Sequence, residues 1–376
     1  SRPAAPSVSD GARPPGSEMA GGARGGHGEG HFYMCACRLR RNFFVRSVEE
    51  HFEYDGDDAA FARQYERFVR ERSPCAALPP VEEVLAEVRA QREERRRAPW
   101  EAAERAERIA AEHQRLHPEV YRMEPERFLD PRFRELAGEL RRCPDRPRAV
   151  EECVAALASR GLISRFRGGI FTFPVFTDSF CDLLEAELAH FEASDLPKSR
   201  PNTMNRFGVV LRELGLCEGL LDPLVFEMLD AIATRLLPIY TEGLDSYRAF
   251  TVKYDAQAGG DRHLNTHYDN AEVTLNVNIG GAWTGGQVTF LGLARTRSTP
   301  PPLSVALQRG HGVFHAGLEL HQAEPVQTGQ RQNLILWCRS SSLRNFHCPM
   351  CWDKPRVVAT TAFGHDGFTV PPCDSA

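Results

Sequence analysis

Residues 249–255 read AFTVKYD, 272–279 EVTLNVNI, 287–293 QVTFLGL, 303–308 LSVALQ, 311–316 HGVFHA and 333–339 NLILWCR. Each run is short, rich in β-branched and aromatic residues, and bounded by turn formers, which is the pattern of strands with one buried face. Gly280-Gly281, Gly285-Gly286, Gly310 and Gly329 punctuate them, and glycine turns a chain tightly at no steric cost. About six strands within roughly 95 residues predict an antiparallel sandwich or jelly roll. Upstream, FRGGIFTFPVF (166–176) is aromatic and β-rich. Thr177 or Asp178 can cap a helix through DSFCDLLEAELAHFEA (178–193), and Asp222-Pro223 opens another, PLVFEMLDAIATRLLPIY (223–240). Both helices are expected to pack on the sheet. The fold class is α+β: a jelly-roll (double-stranded β-helix) domain over 161–345 with its core at 250–340, flanked by helices.

Chemistry has to come from polar residues on those strands. His267 and Asp269 stand two apart in THYDN (266–270), and in an extended chain that spacing puts both side chains on one face, where they can share a cation. The pair alone says little, because H-x-E triplets also occur at His27, His51, His117 and His190. Its company says more. His267 precedes an alternating strand, and His321 opens HQAEPV near the last strands of the same block. Two imidazoles and one carboxylate form the facial set used by non-haem Fe(II) oxygenases, with positions left open opposite them. Arg331, ten residues past His321 and after a predicted turn at Gly329, carries a guanidinium suited to clamp a dicarboxylate in bidentate fashion. In a regular strand it shares its face with Asn333, Ile335 and Trp337. His263, His311 and His315 read as structural or pocket-lining, with His315 the substitute if the distal ligand is misassigned.

VKYDAQ (252–257), THYDNAEVTLNVNI (266–279), TGGQVTFLG (284–292) and GLELHQAEPVQTGQRQNLILW (317–337) together resemble the Fe(II)- and 2-oxoglutarate-dependent dioxygenases, in the branch similar to prolyl and lysyl hydroxylases. RPNTMNRFGVVLRELGL (200–216) adds to the likeness, which finds no support before about Gly161. The resemblance implies that His267, Asp269 and His321 ligate Fe(II) and that Arg331 binds the distal carboxylate of 2-oxoglutarate. It implies that Tyr254, Thr274 and Asn276 touch the same cosubstrate. It further implies O2 as cosubstrate, L-ascorbate as accessory reductant, and hydroxylation of a C–H bond, of a protein lysyl or prolyl side chain, with release of succinate and CO2. Demethylation would use the same ligands. A reading of another class is a catalytically silent jelly-roll scaffold that retains the metal site.

The rest of the chain bounds these readings. The 376 residues carry 46 basic and 51 acidic groups, for a net charge of −5, and no run of 18 apolar residues. Neither a membrane span nor a nucleic-acid partner is expected. Arginine outnumbers lysine 43 to 3, yet residues 1–165 balance at 29 basic and 29 acidic, so no uncompensated positive field remains for phosphates. Residues 1–30, rich in Gly, Ala, Pro and Ser, are expected to be disordered; Met19 is a plausible alternative start. Residues 31–160 read as a mostly helical region of unknown role, in which 81–117 forms one or two solvated helices interrupted by Pro99. Residues 346–376 read as a C-terminal tail.

Eleven scattered cysteines suggest reduced thiols, hence cytosol or nucleus. His347-Cys348 and Cys351 make half of a tetrahedral zinc site, and the other close pair, Cys35 and Cys37, lies far upstream. Free thiols are the expectation there, and Cys143, Cys153, Cys181, Cys217 and Cys338 read as small core hydrophobes.

Overall fold

The computed structural model describes residues 30–72, 78–257, 259–296 and 299–360. The expectation of disorder over 1–30 lies outside the described residues, apart from Gly30. The N-terminal part comprises β1 (Gly30–Met34), β2 (Phe43–Val45), β3 (Glu50–Phe52), α1 (Asp58–Glu71), α2 (Val81–Glu112), α3 (Pro125–Phe128), α4 (Pro131–Arg142) and α5 (Pro147–Ser159). Next come β4 (Ser164–Arg165), β5 (Phe171–Pro174), α6 (Asp178–Ala193) and α7 (Asp230–Leu236). The strands that follow are β6 (Ser246–Asp255), β7 (Leu264–His267), β8 (Val273–Gly280), β9 (Trp283–Gly285), β10 (Val288–Leu293), β11 (Leu303–Val305), β12 (His311–Ala316), β13 (Glu319–Ala323) and β14 (Val326–Arg339). A short α8 (Ser341–Arg344) leads to β15 (Arg356–Thr360).

Two antiparallel sheets form the jelly roll. The larger has the order β4-β5-β12-β8-β14-β6, with β9 also paired to β14, and the smaller β11-β10-β13-β7. From β6 to β14 the chain crosses repeatedly between the two. Alternation along the larger sheet decides which side chains meet helices and which line the interior. Val273, Leu275, Val277 and Ile279 of β8, with Leu334 and Leu336 of β14, join the main core under α4, α6 and α7. Thr274 and Asn276 of β8, with Arg331, Ile335 and Trp337 of β14, line a cavity on the other face. Thr177 caps α6 by accepting the Phe180 N–H at 3.2 Å.

Three local expectations change in the structure. α2 continues through Pro99 as one helix, although proline removes an i→i−4 bond. Burial overrides that local cost: Val84 and Val88 pack into a satellite core with Phe43, Phe52 and Phe61, while Ile109 enters the main core. Asp222 has helical backbone and does not cap. Wide π-type turns already begin at Cys217, and the Asp222 carboxylate accepts the Tyr247 hydroxyl at 2.5 Å. Gly329 is not a turn but an interior position of β14 with φ +70°. A Cβ there would lie 1.8 Å from the Ala282 carbonyl oxygen, so glycine permits β14 to pair with β9.

The main core draws on both sides of residue 160, from Ile109, Phe133, Leu136 and Leu157 to Phe314 and Cys338. No helix among the described residues is long and apolar enough to cross a membrane.

Candidate active site

Strand register assembles the site. His267 ends β7 and lies opposite His321 of β13, with ring centroids 4.3 Å apart. Asp269 follows in the connection to β8, 98% buried, and its N–H donates to the Gly317 carbonyl at 2.8 Å. The Nε2 atoms of His267 and His321 lie 3.7 and 3.8 Å from the same Asp269 Oδ1. Metal–ligand bonds of about 2.1 Å at right angles separate donors by about 3 Å, so each imidazole has to approach the carboxylate by less than about 1 Å to close on an ion.

Hydrogen bonds orient the two imidazoles. His267 Nδ1 is 2.8 Å from the Asn265 carbonyl, and His321 Nδ1 is 2.8 Å from the Glu319 carbonyl. Carbonyls only accept, so each Nδ1 carries a proton, and each ring turns its Nε2 toward Asp269, the orientation of metal-ligating histidines. Burial, reinforced by His321, pushes His267 down to about 3, keeping the ring neutral. Burial works against ionisation of Asp269, but His321, His267, His315 and the Thr274 hydroxyl outweigh it and hold the carboxyl below the usual range. Thr274 Oγ1 donates to Asp269 Oδ2 at 2.7 Å, leaving Oδ1 for the convergent point. His267, Asp269 and His321 thus form a donor set that could hold a metal ion.

Arg331 lies across the same cavity, opposite Tyr254 of β6, and is 97% buried. Its Nη1 donates to the Gly286 carbonyl, its Cζ sits 4.6 Å from the Tyr254 ring centroid, and its Nε has no hydrogen-bond partner among the described residues. No carboxylate salt-bridges it there. A buried cation with spare donors, aimed into a cavity that ends at a metal-ligand set, suits the far end of a small dicarboxylate. Asn276 Oδ1 accepts from Asn333 Nδ2 at 2.6 Å and lines the wall between.

Of the residues singled out from sequence, all seven (His267, Asp269, His321, Arg331, Tyr254, Thr274 and Asn276) line this one cavity. Thr274 is turned toward Asp269 rather than held free for a cosubstrate. His315 does not replace His321: it is 99% buried, burial lowers it to about 4, and its Nδ1 faces the Ala316 carbonyl. Its ring packs 4.9 Å from that of His321, as a wall behind it. Sequence reading missed Asn202 and Asn205, which also line the cavity. Asn202 Oδ1 accepts the N–H groups of Met204 and Asn205, an Asx-type turn that points Asn205 Nδ2 at the Tyr254 hydroxyl, 3.3 Å away. The N-T-M-N spacing was the available signal.

A family profile described as an OGFOD2-like domain matches residues 109–242. The human 2-oxoglutarate and iron-dependent oxygenase domain-containing protein 2 is 41% identical over 347 residues, covering 90% of this chain and 94% of that protein. The chain belongs to this family. It is therefore a 2-oxoglutarate and iron-dependent oxygenase, and the likeness extends upstream of Gly161, where the strand motifs alone found no support. More distantly, mouse procollagen-lysine,2-oxoglutarate 5-dioxygenase 2 is 25% identical over 175 residues, 43% of this chain and 22% of that one. A prolyl 4-hydroxylase structure from Phytophthora capsici is similar over 56% of this chain and 66% of that chain, with 18% identity and a TM-score of 0.38. Within this OGFOD2-like oxygenase the shared core of 109–242 and the jelly-roll strands is a single packed unit.

Proposed function

We propose that His267, Asp269 and His321 hold Fe(II), that Arg331 anchors 2-oxoglutarate, and that the enzyme hydroxylates a lysyl or prolyl side chain of a protein. The observation that carries this reading is the convergence of two Nε2 atoms on one carboxylate oxygen in a buried cavity whose other end holds a cation with a spare donor. Iron, when bound, supplies oxygen activation coupled to conversion of 2-oxoglutarate to succinate and CO2.

The chain's own residues provide position and dryness. Arg331, backed by Gly286 and stacked on Tyr254, fixes the distal carboxylate; Thr274 keeps Asp269 aligned. Asn276 and the Tyr254 hydroxyl, itself oriented by Asn205, lie along the cosubstrate's path. Phe250, Val252, Val288 and Ile335 exclude water from the reacting end. The protein substrate rests on the motif likeness to lysyl and prolyl hydroxylases and on the procollagen-lysine relative. Ascorbate belongs to the same reading as accessory reductant.

Succinate release from 2-oxoglutarate with purified protein, Fe(II) and ascorbate tests the chemistry. His267→Ala removes iron binding and succinate formation together. Comparison of proteomes with and without the enzyme, searching for peptides that gain one oxygen atom, tests the substrate. Wild-type turnover in the variant overturns the ligand assignment, and a demethylated product overturns hydroxylation.

A further inference from the structure

The two cysteine pairs that stand 311 residues or more apart in sequence meet in space. Cys35, Cys37, Cys348 and Cys351 place their four sulfur atoms within 4.8 Å of one another. Cys35 Sγ is 3.4 Å from Cys351 Sγ, and Cys37 Sγ is 3.7 Å from Cys348 Sγ. All four are free thiols, so these are contacts and not disulfides. Four ligands at about 2.3 Å around tetrahedral zinc are separated by about 3.8 Å; two of the sulfur pairs stand at 3.4 and 3.7 Å and all four within 4.8 Å, so the group is already near that spacing.

The surrounding backbone is built to hold them. β1 and β15 pair antiparallel through Met34 and Arg356, so Cys35 leaves the ribbon at the point where the chain from Cys351 enters it. The Trp352 N–H closes a turn onto the Cys348 carbonyl at 2.7 Å, and a 3-10 turn from Ala36 to Leu39 carries Cys37. Among the described residues the apolar cluster of this corner consists of the cysteines and Met350, and an isolated two-stranded ribbon is marginal in water. Positive charge stands beside the thiolates a metal would require. Arg95 of α2 donates to the carbonyls of Arg38 and Arg41 at 2.7 and 2.8 Å, and the Arg41 N–H bonds the Cys37 carbonyl.

We propose that these four cysteines form a closed, structural tetrathiolate zinc site that staples both ends of the described chain together. Binding of Zn(II) releases the four thiol protons to solvent and leaves no open coordination position. His347 is no ligand; its ring stacks on Trp352 at 5.4 Å. The staple abuts the oxygenase centre. The Tyr268 hydroxyl, between His267 and Asp269 in sequence, donates to the Met350 carbonyl at 3.2 Å, and Arg295 donates to the same carbonyl at 2.9 Å. A fixed Cys348–Cys351 turn therefore supports the connection that presents the iron ligands.

The test counts metals in the full chain purified under reducing conditions without chelator. One zinc per chain is expected, retained in His267→Ala, and lost in Cys37→Ser and Cys348→Ser. If those variants do not fold, wild-type protein stripped of zinc is titrated with Co(II): one equivalent should give thiolate-to-metal charge transfer and the intense visible bands of tetrahedral coordination. Absence of zinc with no such Co(II) spectrum, zinc retained in folded cysteine variants, or peptide mapping of two disulfides in reduced preparations would each overturn the site. Loss of iron binding alone leaves it standing, so its failure is separable from failure of the oxygenase assignment.

Discussion

Thr274→Val separates two roles for one residue. The motif likeness assigns Thr274 to the cosubstrate, whereas the structure turns its hydroxyl onto Asp269 Oδ2 at 2.7 Å in a buried setting. Valine matches the shape but cannot donate. The lost bond is to an ionised acceptor, worth roughly 1.5–3 kcal/mol, and at about 1.4 kcal/mol per decade that predicts a roughly ten- to hundredfold loss in Fe(II) affinity. Outer partners of metal ligands commonly contribute in that range. Anaerobic competition titration with a fluorescent chelator reads the Fe(II) affinity. The KM for 2-oxoglutarate, measured at saturating iron, should change little, and Thr274→Ser should restore metal affinity. Unchanged iron affinity together with a raised cosubstrate KM would refute the orienting role and return Thr274 to the cosubstrate.

Arg331→Ala should spare iron binding but raise the KM for 2-oxoglutarate by about ten- to hundredfold, since a charge-assisted pair is lost; Arg331→Lys should recover only part, because lysine lacks the planar fork. Equal KM values in all three proteins would remove the anchor. Phe133→Ala in α4 deletes a ring that is wholly buried and stacks on Phe173 of β5 at 5.8 Å, at a cost of about 3–5 kcal/mol. Because α4 and the jelly roll share one core, denaturant unfolding should remain one transition at lower midpoint, and a jelly-roll transition left in place would show two independent units. In metal-free protein, burial lowers His267 to about 3 and His315 to about 4, against an ordinary 6.5. The unfolded chain thus takes up these protons first on acidification. Their contribution is complete above about pH 6.5 and is lost as pH falls toward 3–4, so the thermal midpoint should drop between about pH 7 and about pH 5; a flat profile would contradict the burial.

What the sequence determined was local. Period-two alternation sorted Arg331, Ile335 and Trp337 onto one face and Leu334 and Leu336 onto the other, and the H-x-D spacing placed the His267 and Asp269 side chains side by side, because the geometry of an extended segment depends only on its neighbours in the chain. The Thr177 cap was legible for the same reason. Pairing across the fold was not legible. Whether His315 or His321 faces Asp269 depends on β13 lying against β7 in one register. That Asn205 reaches Tyr254, and that Thr274 bonds a carboxylate, follow from how loops and strands dock. Pro99 and Gly329 looked like breaks because their local preferences favour interruption, yet burial at both ends of α2 and the β9 pairing carried the chain through. The cysteines show the division most plainly. Each pair is half a tetrahedron, and only folding, by closing a loop of more than 300 residues, brings the halves to one point.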